Sequence, residues 1–408
     1  MPGPGWYWIG EEETREVLDV MKSGHLVRYG KLDDPRFQQK TRLFEQEFAA
    51  HCGAKHALAT ATGSAALVAA MKALQLKPGD EVIVPAYGFV ATYSAAVFMG
   101  VVPVLTEIGD DLNMDPEDIE RRITPRTKAI VPIHMLGNPC NMEAIGAVAE
   151  KHGLFVLEDV CQATGAAYRG RKLGTFGHLG VFSLNAFKVI TTGDGGMIVT
   201  NSDDIYDRAF SAHDQGYHPF EGGKRPAEQN ALGLKLCMTE LTAAVGRAQL
   251  RKLDLILGTL RQKKAKLKNA IGPIPGARFR TLHAPEGECA TLCTVIFDRA
   301  ERAARVAEIL GTRTVDNTGW HVYDKMDHFD QYLKDQGRPH GRGAFPRTDD
   351  ILSRSINLSV GVVDAGLGAG FGICIDSTDD EIQQAADQFQ RVCRLAASDK
   401  SQDQNHAC

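Results

Sequence analysis

Short apolar runs alternate with helical patterns through the first half of the chain. Runs rich in β-branched residues predict strands over His56 to Ala59, Glu81 to Pro85, Pro103 to Glu107, Lys128 to His134, Leu154 to Glu158, Gly180 to Ser183 and Gly196 to Thr200. Between them, Ser64 to Leu76, Asp115 to Ile123 and Met142 to Lys151 carry the period of helices. A further helix is predicted over Trp8 to Gly24, where Val17, Leu18 and Met21 recur at helical spacing. Acids crowd its first half, Lys22 stands near its end and Gly24 supplies a left-handed stop. Repeated strand, helix, strand order predicts an α/β domain with a mostly parallel sheet, covered on both faces and joined by right-handed crossovers.

Past Leu250 the texture changes. Arg251 to Ala270 reads as a basic amphipathic helix leading into an α+β region with a strand over Ala290 to Phe297 and a helix over Glu301 to Leu310. Thr378-Asp379-Asp380-Glu381 is a capping box opening a helix that runs to about Ala396. The expected division is therefore a large domain over 1–250, a small C-terminal domain over 251–397 and a frayed polar tail over 398–408. His213 to Leu232, polar and rich in Gly and Pro, reads as a mobile loop near a site or a subunit interface.

The chain has 408 residues, enough for two domains, and an ordinary globular composition. Its formal net charge of −5 and scattered basic residues offer no stripe for nucleic acid or an anionic membrane. The longest uncharged run, Ala86 to Glu107, contains Gly88, Gly100 and Pro103, so no membrane span is expected. No secretory signal is visible at the N-terminus, and nine cysteines without framework spacing fit a reducing cytoplasm. Cys289 and Cys293 are the one close pair; with no further ligands nearby they read as packing residues, and no metal is expected.

Thr62-Gly63-Ser64-Ala65-Ala66-Leu67 follows a strand and opens a helix, so its small residues expose N–H groups to a phosphate. Many such turns exist only to cap a helix, and alone this one is a weak signal. Asp159 ends an apolar strand, where open α/β sheets place ligands. It could hold a protonated pyridine nitrogen, cap a helix or join a salt bridge. Lys188 lies in Ser183-Leu184-Asn185-Ala186-Phe187-Lys188, which runs into Thr191-Thr192-Gly193-Asp194-Gly195-Gly196. Most lysines are solvated surface charges, but one held in such a turn can condense with an aldehyde and then shuttle protons. Phosphate turn, acid and lysine, in this order within one domain, are the parts needed to use pyridoxal 5′-phosphate (PLP).

With these segments, and with Ser23-Gly24-His25-Leu26 and Pro78-Gly79-Asp80-Glu81-Val82-Ile83-Val84-Pro85, the chain resembles the DegT/DnrJ/EryC1/StrS aminotransferases, a fold-type I PLP family that aminates keto-sugar nucleotides and keto-cyclitols. The resemblance implies Lys188 as the Schiff-base lysine, Asp159 as partner of the pyridine nitrogen and Gln162 as a contact to the phenolic oxygen. Gly63, Ser64 and Ser183 would bind phosphate, and Phe89 would stack on the ring, with core packing as its alternative. It also implies glutamate or glutamine as amino donor, a keto acceptor and a homodimer with shared sites. The chain departs from the family at Gly233-Leu234-Lys235-Leu236-Cys237-Met238-Thr239-Glu240. Lys235 replaces the Asn that reaches the partner's phosphate, a role a lysine can keep. Cys237 replaces an Arg, which puts the usual local polar contacts in question.

Related dehydratases carry His where this chain has Lys188. Oxidation or decarboxylation on the same cofactor also stays open, as does a non-catalytic regulatory role. Arg28, Tyr29 and Lys31, His213, Asp214 and Gln215, and Trp320, His321 and Tyr323 are candidates to line the acceptor pocket, and each would equally suit packing or solvation.

Overall fold

A computed structural model describes residues 3–216 and 232–398. Seven strands form the main sheet: β1 (His56–Thr60), β2 (Glu81–Pro85), β3 (Val102–Thr106), β4 (Thr127–Ile130), β5 (Phe155–Asp159), β6 (Leu179–Ser183) and β7 (Gly196–Thr200). Their spatial order is β1-β7-β6-β5-β4-β2-β3, and only β7 runs against the rest. Successive side chains on a strand point to opposite faces, and here both faces are apolar. Ile83, Val156 and Phe182 face a core with Phe44 and Phe48 of α2 (Lys40–Cys52). Val82, Val84, Val181 and Ile198 face another with Leu67 and Met71 of α3 (Gly63–Ala73). The sequence expectation of a doubly covered, mostly parallel sheet is met.

Around this sheet lie α1 (Glu11–Ser23), α4 (Val90–Phe98), α5 (Pro116–Arg122), α6 (Met142–His152) and α7 (Asp203–His213). The N-terminal helix starts later than its pattern predicts. Pro4–Trp8 is a separate 3₁₀ turn, and α1 begins after Gly10, whose N–H donates to Glu13 Oε2 at 2.8 Å. The helix predicted from Arg251 begins at Glu240 and continues to Ile271 as α8, because the Thr239 hydroxyl accepts from Thr242 N and caps it there.

A smaller sheet is built from β8 (Ala277–Phe279), β9 (Leu292–Phe297), β10 (Ser355–Ser359) and β11 (Phe371–Gly372) in that order. Its helices are α9 (Ala300–Leu310), α10 (Asp327–Asp335), α11 (Pro346–Ser353) and α12 (Asp379–Ser398). The capping box ahead of α12 is formed: Thr378 N donates to Glu381 Oε2 at 2.6 Å and Glu381 N to Thr378 Oγ1 at 3.3 Å. Most of the polar loop and the tail, residues 217–231 and 399–408, lie outside the described residues. Among the described residues no helix is long and apolar enough to cross a membrane, and no cluster of metal ligands occurs.

Candidate active site

The carboxyl ends of β1, β2, β5 and β6 meet at one edge of the sheet, over a cavity of about 520 Å³. At its floor Thr62 caps α3, its hydroxyl accepting from Ala65 N at 3.0 Å. The N–H groups of Gly63 and Ser64 make no hydrogen bond among the described residues and stand at the positive end of the helix. A Cβ on Gly63 would come within 2.8 Å of Ser183 Cβ and 3.3 Å of Cys161 Sγ, so only glycine keeps this cradle open. The reversed β7 closes it: Gly196 lies opposite both Thr60 and Ser183, and a Cβ on it would strike Thr62 O.

Asp159, the last residue of β5, is buried. Its Oδ2 accepts from the Thr92 hydroxyl at 2.6 Å and its Oδ1 from Cys161 N at 3.0 Å. No ion pair reaches it among the described residues, so the carboxylate faces the cavity without a cation. Gln162 lies beside it, its Oε1 fixed by Leu136 N at 2.9 Å, which leaves the amide nitrogen as the donor.

Lys188 sits in a loop tied at several points. Its N–H donates to Asn185 O at 2.9 Å, Leu184 N to Gly195 O at 2.9 Å, and Asn185 Nδ2 to Asp194 Oδ1 at 2.9 Å. The chain's start braces the back of this loop: Gly3 N donates to Ala186 O at 2.8 Å, and Gly3 and Gly5 pack too closely for any side chain. Lys188 Nζ has no hydrogen bond or ion pair among the described residues and stands 5.8 Å from the centre of the Phe89 ring. Phe89 in turn lies 5.2 Å from the His321 ring. His321 Nδ1 donates to Gly366 O at 3.1 Å, and burial, aided by the Lys188 charge, pushes its pKa down to about 3, so the ring stays neutral. The Cys161 thiol is pushed well above its usual range by burial and the Asp159 charge.

The cavity thus brings together Gly63, Ser64, Phe89, Asp159, Gln162, Ser183, Lys188, Trp320 and His321 of the residues singled out in the sequence. It does not bring in Arg28, Tyr29, His213, Lys235 or Tyr323 of the same chain. Tyr323 is buried beside Phe345, its hydroxyl donating to Gly341 O at 3.0 Å. Arg28 is buried between Glu45, at 3.0 Å, and His213 Nε2, at 3.0 Å. The His213 Nδ1–H donates to Phe210 O, which fixes the neutral tautomer, and burial with the Arg28 charge pushes its pKa down to about 3. Tyr29 donates to Asp214, and Lys235 Nζ pairs with Asp214 at 2.6 Å over the Tyr29 ring. These contacts, with Cys237 Sγ donating to His213 O at 3.6 Å, fill the region where the family's arginine is missing.

Thr92, Leu136 and Asp364 also line the cavity without having been singled out. Thr92 stands three residues after Phe89, but nothing local in the sequence marks its contact to Asp159.

These parts fit PLP. An open helix N-terminus awaits a phosphate, a buried carboxylate lacks its cation, an aromatic face flanks the cavity and a lysine amine points into it.

The family model for the DegT/DnrJ/EryC1/StrS aminotransferase family matches residues 8–363. The spore coat polysaccharide biosynthesis protein SpsC of Bacillus subtilis is 34% identical over 358 residues, covering 86% of this chain and 90% of that protein. GDP-perosamine synthase of Caulobacter vibrioides is 41% identical over 236 residues, 56% of this chain and 62% of that protein. Among solved structures, an aminotransferase from Psychrobacter cryohalolentis superposes with a TM-score of 0.80 at 26% identity, over 98% of this chain and 100% of that one. With the match spanning the whole main sheet, β8 to β10 of the smaller one and the cavity lining as far as Val362, the chain belongs to the DegT/DnrJ/EryC1/StrS family of PLP-dependent aminotransferases.

Proposed function

We propose that the protein transfers an amino group from glutamate or glutamine to the keto group of a sugar, first among candidates a nucleotide-linked one, in an amino-sugar pathway. The observation that carries this reading is the convergence of Lys188, Asp159 and the α3 N-terminus on one cavity, and the names of the perosamine synthase and polysaccharide relatives support the acceptor class. Bound PLP supplies an aldehyde that takes up the amino group and an electron-poor ring that eases removal of the adjacent proton. Gly63, Ser64 and Ser183 hold its phosphate, and Asp159 keeps its ring nitrogen protonated. Phe89 covers its face, and Gln162 donates to its phenolic oxygen. Lys188 Nζ would hold the cofactor's aldehyde and, when free, would be the base that carries a proton at the reacting carbon. Lys235, half exposed and outside its own cavity, reaches the phosphate in a neighbouring subunit of a homodimer. The eight cysteines of the described residues are all free, which suits the cytoplasm as the place of reaction.

The visible absorption of PLP-loaded protein tests this. Glutamate or glutamine should discharge the long-wavelength band, and keto-sugar nucleotides should restore it. Restoration by free keto-sugars or keto-cyclitols alone would correct the acceptor class, and no discharge by either donor would overturn the donor. Lys188→Arg should lower turnover by roughly 10²–10⁴ or more while leaving the circular dichroism spectrum unchanged.

A further inference from the structure

Gln162 is useful to the cofactor only if its amide nitrogen, not its oxygen, faces the cavity, and Leu136 N–H decides that by holding Oε1 at 2.9 Å. Leu136 is an unusual residue for the task. Its φ of 57° is left-handed, costly for a branched side chain, and such backbone persists only where the surroundings hold it. They do so on both sides: Met135 N donates to Asn113 Oδ1 at 3.0 Å, and Cys289 N donates to Gly137 O at 2.9 Å.

The Met135 carbonyl accepts from Asn138 N at 3.1 Å, and one side chain reaches both it and the Leu136 carbonyl, which is otherwise unpartnered among the described residues. Arg280, just past β8, donates Nη1 to Met135 O at 3.1 Å and Nη2 to Leu136 O at 3.0 Å. The guanidinium is buried and forms no ion pair among the described residues; the nearby Glu288 is already paired with Lys264 at 2.5 Å. Its Nε has no hydrogen-bond partner among the described residues either. A cation this poorly compensated is expensive to bury, and an apolar residue would cost less if filling space were the only task. The planar fork does what no apolar side chain can, gripping two successive carbonyls.

We propose that Arg280 is a positioning residue that fixes the Leu136 turn and through it presents the Gln162 amide to the phenolic oxygen of PLP. The inference rests on the placement of Gln162 proposed above. A donor on that oxygen stabilises its negative charge most when Lys188 Nζ, joined to the cofactor, has lost its proton. Losing the donor therefore raises the pH at which Nζ gives up that proton, which the visible spectrum reads directly.

The experiment is a spectral pH titration of PLP-loaded wild type, Q162A, R280K, R280M and the R280M/Q162A double variant. The other ionisable groups of the cavity, Asp159, Cys161, Lys188, Asp194, His321 and Asp364, are unaltered in all of them. Q162A should move the midpoint up by about one pH unit, the size expected for one hydrogen bond to a charged oxygen. R280M should move it the same way, R280K by less, and the double variant no further than Q162A alone. R280K keeps the charge and stem, and it carries the test if R280M does not fold. Wild-type midpoints in the Arg280 variants, or shifts that add in full to that of Q162A, would overturn the role of Arg280 and leave Gln162 standing. An unmoved midpoint in Q162A would instead overturn the placement of Gln162, and this inference with it.

Discussion

Both oxygens of Asp159 are oriented before any cofactor arrives, one by the Thr92 hydroxyl and one by Cys161 N. A hydrogen bond to a charged group contributes about 1.5–3 kcal/mol, so Thr92→Val should lower kcat by roughly tenfold with little change in the donor KM. Thr92→Ser should restore it, and steady-state kinetics on the three proteins would settle the point. A second residue-scale prediction concerns acid. The unfolded chain protonates His213 below about pH 6.5, whereas the folded protein resists until about 3, so this contribution to stability is complete above 6.5 and drains away as pH falls. At pH 5 the loss is about 2 kcal/mol. Thermal melts at pH 7 and pH 5 should show a smaller drop for His213→Gln than for wild type, and equal drops would mean that His213 is already protonated in the fold. Lys188 and Asp159 were legible from sequence because each sits in a short segment whose neighbours do the positioning. Thr92 and Arg280 were not, because their partners lie 67 and about 145 residues away and no local pattern announces such a contact.

Elements were legible where their pattern was local. The strands alternate between two apolar cores and were found within a residue or two at most ends, although β4 stops at Ile130 where the pattern ran on to His134. Helix α4 was harder: Val-Ala-Thr-Tyr-Ser-Ala-Ala-Val-Phe has no polar face, and a short apolar run does not distinguish helix from strand. Helix α8 is legible only from Arg251 onward, since its first turns bury against α2 and so lack the basic stripe that marks the rest. That burial gives α8 two glycines with opposite roles. A Cβ on Gly246 would come within 2.6 Å of the buried Phe44 ring, whereas around Gly258 nothing lies within 4 Å. Gly258→Ala should therefore raise stability by about 1 kcal/mol through helix propensity alone. Gly246→Ala receives the same benefit but overpacks the core, at a cost of about 1–3 kcal/mol. Denaturant unfolding should move the two midpoints in opposite directions; a stabilised G246A would mean that Phe44 can yield without loss.

At the scale of the whole molecule, the cavity is a joint between the two sheets. Residues 86–90, which carry Phe89, are bonded to 320–323: Gly88 N donates to His321 O at 2.9 Å, Val90 N to Trp320 O at 3.0 Å and Tyr323 N to Ala86 O at 3.3 Å. One chain thereby supplies the floor, the acid, the lysine and one wall. It leaves Lys235 outside, paired with Asp214 and more than half exposed, at the position for which the family resemblance implies a contact to the other subunit's phosphate. If Lys235 makes that contact, the defects of K188R and K235E belong to different halves of each shared site. K235E sets a negative charge against phosphate and should weaken PLP binding in its own homodimer, while K188R should bind PLP without turning over. Reassembled from equal amounts, half of the dimers are mixed, and each mixed dimer pairs an intact Lys188 with an intact Lys235 at one of its two sites. The mixture should regain roughly a quarter of wild-type activity, the share set by a two-fold assembly with composite sites. Full activity in K235E alone would remove Lys235 from the phosphate site. An inactive mixture in which mass spectrometry finds the mixed dimer would show that each chain builds its site unaided.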